Sequence, residues 1–140
     1  MWVRVVEIRT NLHVPLMAAP VAAGFPSPAE EHEDRPLDFN ELLVRNPAST
    51  FAVKAQGDSM VGAGIHDGDI CVVDRSLKPV DGSIIVALVN GEFTMKRLRM
   101  RAGRVWLTPE NINYPDIPIT EGTEFEIWGV IPKSVRMHAP

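Results

Sequence analysis

From residue 50 onward the chain consists of short apolar runs separated by turns that contain glycine or proline. Most runs are about four to eight residues long, and some alternate apolar with polar positions, as β-strands do. Their length and spacing predict a mainly β fold, a small compact barrel or sandwich of about six or seven strands. The predicted strands are Phe51 to an end at Gly57, Ile70 to Val73, Ile84 to Val89, Glu92 to Met100, Val105 to Leu107 and Phe125 to Ile131.

One short helix is predicted immediately before this β region. Asp38 is a suitable N-cap, and Glu41 stands three residues later, where it can complete a capping box. The helix should end before Asn46-Pro47, because a residue that precedes proline is disfavoured in the helical conformation. We therefore expect a helix of about two turns from Asp38 to Arg45.

The first 36 residues show no sustained periodicity, and their five prolines prevent a long helix. The acidic cluster at residues 30–34 is typical of a solvated linker. We expect an extended, mobile N-terminal arm over residues 1–36 and a single domain over residues 37–140. The small residues Val21, Ala22 and Ala23 resemble the cut site of a secretory peptide, but Glu7 and the prolines interrupt the basic and apolar parts that such a peptide needs.

Charge and cysteine content narrow the classes of function. The formal net charge of −4 does not favour direct, sequence-specific DNA binding. The one local basic run, Lys96 to Arg104, is typical of a solvated strand edge. Cys71 is the only cysteine, so an intrachain disulfide is impossible, and a cytoplasmic location is the plain expectation. No apolar stretch approaches the ~20 residues that span a bilayer, so no membrane partner is expected.

Ser59 is a candidate nucleophile. It follows a predicted strand in the segment Gly57-Asp58-Ser59-Met60, where the sheet can hold the backbone while the hydroxyl projects into solvent. The signal is weak alone, because most serines in turns only hydrogen-bond their own backbone.

Lys96 is a candidate general base. It lies in the strand that follows the hairpin signal Asn90-Gly91, and pairing through a two-residue loop places it opposite Ile85, with Thr94 and Leu98 as neighbours on the same face. A lysine there either extends its amine to solvent or is partly desolvated. Only the second case suits catalysis, since burial can lower a lysine pKa by up to ~3–5 units and so supply a neutral amine.

Other chemistries have less support in the sequence. A Ser-His-Asp triad would need His66, which lies in a turn signal where a polar surface residue is expected. The other histidines lie in the arm or near the C-terminus. No histidine or cysteine spacing matches a zinc site, and no glycine-rich loop leads into a helix, so neither a metal nor another cofactor is expected.

Three segments together resemble the LexA/UmuD family of Ser–Lys self-cleaving peptidases. They are Gly57-Asp58-Ser59-Met60, the turn Asp67-Gly68-Asp69, and Gly91-Glu92-Phe93-Thr94-Met95-Lys96. The likeness extends over about residues 22–131 and includes Ala23-Gly24 ahead of the domain. By position, the resemblance implies that Ser59 is the nucleophile, Lys96 the general base, and Ala23-Gly24 the scissile bond.

The resemblance also implies partners. Only 23 residues precede the expected cut, too few for the helix-turn-helix domain of LexA-like repressors, so the match is to the UmuD branch of the family. That branch implies a homodimer, cleavage stimulated by the RecA–single-stranded DNA filament, and a shortened product that joins a UmuC-type subunit of an error-prone polymerase in the SOS response.

Two alternatives remain open from the sequence. One is a Ser–Lys protease similar to signal peptidase that cuts other chains, although such an enzyme would want a membrane anchor. The other is a non-catalytic β interaction module that docks a polymerase or another partner, in which Ser59 and Lys96 are incidental.

Overall fold

The computed structural model describes residues 13–18, 20–24 and 35–139. The acidic cluster of the arm, residues 30–34, therefore lies outside the described residues. The elements in chain order are β1 (His13–Val14), β2 (Leu37–Asp38), α1 (Phe39–Leu43), β3 (Thr50–Lys54), β4 (Ile70–Asp74), β5 (Ile84–Val89), β6 (Glu92–Arg101), β7 (Arg104–Thr108), β8 (Ile117–Ile119) and β9 (Phe125–Val135). Short 3-10 turns cover Pro47–Ser49 and Val61–Ala63.

Seven strands form one antiparallel sheet in the order β3-β4-β9-β5-β6-β7-β8. The mainly β prediction is confirmed, but over the described residues the sheet is open, with β3 and β8 at its edges, so it is not a closed barrel. A second sheet pairs β1 with β2, so His13–Val14 lie beside Leu37–Asp38.

The helix is shorter than its sequence signals predicted. It covers Phe39–Leu43, and the Asp38 carboxylate caps it by accepting hydrogen bonds from the amides of Asn40 (2.9 Å) and Glu41 (3.3 Å). Val44 already has extended backbone angles, and its amide donates back to Asn40 O at 2.9 Å. The N-cap prediction is confirmed. The predicted end at Arg45 was wrong, because the backbone becomes extended at Val44, one residue after Leu43.

The hairpin between β5 and β6 has the predicted register. Ile85 stands opposite Lys96, and the turn residues Asn90 and Gly91 have φ angles of +48° and +83°, as a type I′ turn requires. Strands β1, β2 and β8 were not predicted from the sequence. The predicted end of β9 was four residues too early, at Ile131 instead of Val135, and the predicted end of β3 was too late, at Gly57 instead of Lys54.

Strand β9 runs through the middle of the sheet despite the proline at position 132. Its pairing with β4 shifts between Val72 and Asp74, which face Lys133 and Val130, so β9 carries one extra residue there. A bulge tolerates proline because the missing N–H has no ladder partner to satisfy. A second shift, opposite Val86 and Ala87, leaves Trp128 as the extra residue.

Residues on the two faces of the sheet form two buried clusters. Ile85, Ala87, Leu98 and Leu107 belong to one, while Val86 belongs to the other. The second cluster also holds Ala55, Met60, Ile65, Cys71, Val73 and Ile131. Because it includes residues on both sides of Ser59 in the chain, the core itself anchors the loop that carries this serine.

Candidate functional site

Ser59 lies in a tight loop, residues 57–62, which we call the serine loop. The chain leaves the sheet at Ala55, which is buried and donates its amide to Asp69 O at 2.8 Å. Gly57 then turns the chain with a φ of +85°, a conformation that favours glycine, and its amide donates to Asp67 Oδ1 at 2.7 Å. The turn at residues 67–69, part of the family resemblance, therefore positions the start of the serine loop.

Lys96 reaches the serine from the neighbouring strand β6. Its Nζ lies 3.2 Å from Ser59 Oγ, 2.9 Å from Thr94 Oγ1 and 3.1 Å from Met95 O, and it donates hydrogen bonds to all three in its charged form. Burial lowers the pKa of Lys96 below its ordinary value of 10.5, because desolvation disfavours the ammonium. The structure thus brings together the two candidate residues, which are 37 positions apart in the chain.

A groove of about 420 Å³ opens over this pair. One wall is aromatic: the Phe93 and Trp128 rings meet edge to face with centroids 5.0 Å apart, and Phe51 meets Trp128 in the same manner at 6.5 Å. The guanidinium of Arg75 lies 5.1 Å from the centre of the Trp128 ring. An apolar wall beside a serine hydroxyl and a lysine amine suits an extended peptide with small or apolar side chains.

The candidate scissile bond is not in this groove. Ala23 and Gly24 are exposed, and the groove lining includes no residue from 13–18 or 20–24. A Cβ built on Gly24 would meet no atom within 4 Å. Ser59 and Lys96 are therefore assembled, while the bond that they would cut lies apart from them.

Some parts of the site were not predicted from the sequence. Thr94 was placed beside Lys96 on one strand face, but not as a hydrogen-bond partner of the amine. The aromatic wall was not predicted either, because Phe51, Phe93 and Trp128 lie on three different strands and no local pattern joins them. A third missed feature is the β7–β8 loop, residues 109–116, which contacts the serine loop.

Two further findings concern the described part of the chain. Among its residues, no group of three or more histidine, cysteine, aspartate or glutamate side chains is arranged to hold a metal ion. No helix in the same ranges is long and apolar enough to cross a membrane.

Comparison with known proteins places the chain in a family. Residues 15–132 match the family described as "Peptidase S24-like". The chain is 44% identical over 126 residues to the protein MucA of Salmonella typhimurium, a match that covers 89% of this chain and 86% of MucA. It is also 44% identical over 117 residues to the protein SamA of the same species, covering 84% of this chain and 81% of SamA.

A longer relative matches as well. The chain is 40% identical over 127 residues to the LexA repressor of Paracidovorax citrulli. This match covers 91% of this chain but 56% of the repressor. These matches agree with the resemblance to the LexA/UmuD family that was inferred from the segments around Ser59 and Lys96. The chain belongs to the peptidase S24-like family, and its similarity is to the UmuD-like members of that family.

Proposed function

We propose that this protein is a self-cleaving serine peptidase that cuts its own arm between Ala23 and Gly24. Ser59 is the nucleophile and Lys96 is the general base. The observation that carries the proposal is the 3.2 Å approach of Lys96 Nζ to Ser59 Oγ at a position where burial lowers the pKa of the lysine.

The three partners of Lys96 explain how the amine could act as a base. In the ammonium form Nζ donates to Ser59 Oγ, Thr94 Oγ1 and Met95 O. After the loss of one proton, the two remaining N–H groups still satisfy Thr94 and Met95. The lone pair is then left facing Ser59, whose hydroxyl becomes the donor. Thr94 and Met95 thus orient the lone pair toward the proton that must be removed.

The cleavage steps follow from this geometry. Ser59 Oγ attacks the carbonyl carbon of Ala23 as Lys96 takes the hydroxyl proton, and backbone N–H groups near Ser59 stabilise the oxyanion. Collapse of the tetrahedral intermediate breaks the C–N bond, and Lys96 returns the proton to the amine of Gly24. Water then hydrolyses the ester between Ser59 and Ala23, with Lys96 again acting as base.

The arm must first enter the groove as an extended segment. Strand β3 is an edge strand over the described residues, and its residues Phe51 and Val53 line the groove, so an added strand can pair with its free edge. Asp38 lies fourteen residue steps after Gly24 (38 − 24 = 14), a distance of at most ~48 Å when the chain is extended. That length allows cutting within one chain or across a dimer.

We further propose that the protein is a UmuD-type subunit of an error-prone translesion polymerase in the bacterial cytoplasm. Its family and its similarity to MucA and SamA support this role. The partners are then a second copy in a homodimer, the RecA–single-stranded DNA filament as activator, and a UmuC-type polymerase subunit. The shortened chain that begins at Gly24 would be the form that joins the polymerase.

Mass spectrometry of purified protein after prolonged incubation at alkaline pH tests the proposal. Loss of residues 1–23 from the wild type, and not from Ser59→Ala, is the expected result. Ser59→Ala should remain folded, since it removes only one oxygen from a partly exposed side chain. An intact wild type, with or without the RecA filament, would instead favour the non-catalytic interaction module.

A further inference from the structure

We infer that Tyr114 and Asn111 are positioning residues for Ser59: from the β7–β8 loop they clamp Asp58 and so hold the serine hydroxyl against Lys96. The inference rests on the proposed role of Ser59 as nucleophile. It assigns to the β7–β8 loop a part in the reaction, although no residue of that loop touches the reacting atoms.

Two side chains of this loop hold the residue before the serine. Tyr114 donates its hydroxyl to Asp58 Oδ1 at 2.5 Å, and Asn111 Nδ2 donates to Asp58 O at 2.9 Å. Both the side chain and the backbone of Asp58 are therefore fixed from the same loop.

Backbone hydrogen bonds hold the serine and the residues that follow it. The amide of Glu110 donates to Ser59 O at 2.8 Å, and the amide of Gly62 donates to Glu110 O at 2.8 Å. A Cβ built on Gly62 would lie 2.6 Å from Glu110 O, so the close contact between the two loops requires glycine there. The β7–β8 loop thus forms hydrogen bonds with the serine loop before, at and after Ser59.

Strand β6, which carries Lys96, also contacts the β7–β8 loop. Arg97, the residue after Lys96, forms an ion pair from its Nε to Glu110 Oε1 at 2.5 Å, and its Nη1 donates to Gly82 O at 2.6 Å. A closed set of contacts therefore runs from Lys96 through Arg97 and Glu110 to Ser59. This arrangement links the position of the nucleophile to that of the base.

We call the two hydrogen bonds from Tyr114 and Asn111 to Asp58 the clamp. They lie at the surface, so their loss can change the position of Ser59 without unfolding the protein. Tyr114 is 43% exposed, and its bond to Asp58 is solvent-accessible, so it adds little to global stability. The hydrogen bond to Asp58 raises the pKa of Tyr114, which favours the protonated phenol that donates this bond. A misplacement of about 1 Å can lower a reaction rate by roughly a hundredfold, so a weak contact can matter for the rate.

Tyr114→Phe tests the inference, with Ile112→Ala as the matched control because Ile112 is 100% exposed in the same loop. Tyr114→Phe should lower the maximal self-cleavage rate by roughly ten- to a hundredfold while the melting temperature and the midpoint of the pH–rate profile stay unchanged. Ile112→Ala should cleave as the wild type does. A wild-type rate in Tyr114→Phe would overturn the inference, and so would a shifted pH midpoint, which would mean that Tyr114 acts on the pKa of Lys96.

Asp58 variants test whether the hydrogen bond itself is responsible. Asp58→Asn keeps an oxygen that accepts from Tyr114 and should retain most of the activity, whereas Asp58→Ala should be as slow as Tyr114→Phe. The double variant Asp58→Ala/Tyr114→Phe should be no slower than either single variant, since both remove one contact. Additive losses would contradict a shared role.

Labelling with an organofluorophosphonate gives a readout that does not need the arm. In this reaction Ser59 Oγ forms a bond to phosphorus, fluoride leaves, and Lys96 accepts the hydroxyl proton. Tyr114→Phe should be labelled more slowly by the same factor as it is cleaved. Slow cleavage with normal labelling would mean that Tyr114 acts in arm docking, which contradicts the inference. If the wild type is neither labelled at Ser59 nor cleaved, the proposed function itself fails.

Discussion

The hydroxyl of Thr94 lies 2.9 Å from Nζ of Lys96, two residues further along the same strand. Alternation along β6 puts both side chains on one face, so the contact is set by the strand itself. With Met95 O as the other fixed acceptor, Thr94 determines where the lone pair of the neutral amine points.

Thr94→Val should therefore cleave slowly while remaining folded, because valine keeps the shape and removes the hydroxyl. The amine is neutral on the plateau, and loss of a neutral hydrogen bond corresponds to about 0.5–1.5 kcal/mol, or roughly a two- to tenfold lower plateau rate. Rates of arm loss measured by mass spectrometry check this. Thr94→Ser retains the hydroxyl and should restore most of the rate, and a Thr94→Val protein as fast as wild type would remove Thr94 from the mechanism.

Self-cleavage should accelerate with pH and level off. Burial lowers the pKa of Lys96, so the neutral amine forms at a lower pH than the ordinary value of 10.5 would allow. Below the lowered pKa each pH unit should reduce the rate about tenfold, because the neutral fraction falls tenfold. Lys96→Arg should be inactive, since arginine stays protonated. A flat profile between about pH 6 and about pH 10, or an active Lys96→Arg, would show that Lys96 is not the base.

Gly24→Asp should block cleavage without unfolding the domain. The substitution meets no atom within 4 Å in the arm, but in the groove a side chain next to the scissile carbonyl would obstruct the approach of Ser59. We expect a loss of at least about a hundredfold in rate with an unchanged melting temperature. Gly122→Asp is a matched control, because Gly122 is equally open and lies far from the arm in sequence. Normal cleavage of Gly24→Asp would place the cut elsewhere, and N-terminal sequencing would locate it.

Asp69 should make stability depend on pH in the acid range. The residue is 3% exposed, and its carboxylate accepts hydrogen bonds from Arg136 at 3.0–3.3 Å and from the amide of His66 at 2.8 Å. The bonds from Arg136 are the main reason that the pKa of Asp69 lies below its ordinary value of 3.8. The folded state thus binds this proton less readily than the unfolded state, so the contribution is complete above the ordinary pKa and is lost as pH falls through the lowered one.

The free energy of unfolding, measured in urea, should therefore differ most between Asp69→Asn and the wild type near neutral pH. That difference should become smaller below about pH 4. Asp116→Asn serves as the control, since Asp116 is exposed to solvent whereas Asp69 is buried. A difference between Asp69→Asn and wild type that stays constant down to about pH 2 would contradict the assignment.

Features that depend on neighbouring residues could be predicted from the amino-acid sequence. Alternating apolar positions predicted most strands, because side chains on a strand point to opposite faces in turn. The Asn90-Gly91 turn determined the register that puts Lys96 opposite Ile85, since both turn residues can adopt positive φ. Asp38 marked the start of the helix for an equally local reason, the unpaired amides of its first turn.

Contacts between segments that are distant in the chain could not be predicted in this way. The approach of Ser59 to Lys96 depends on the order of strands in the sheet and on the contact of the serine loop with the β7–β8 loop. The position of Trp128 in the groove depends on a bulge in β9, which no pattern within that strand indicates. Such features arise from packing between segments far apart in the chain, and local periodicity carries no information about which segments will pack together.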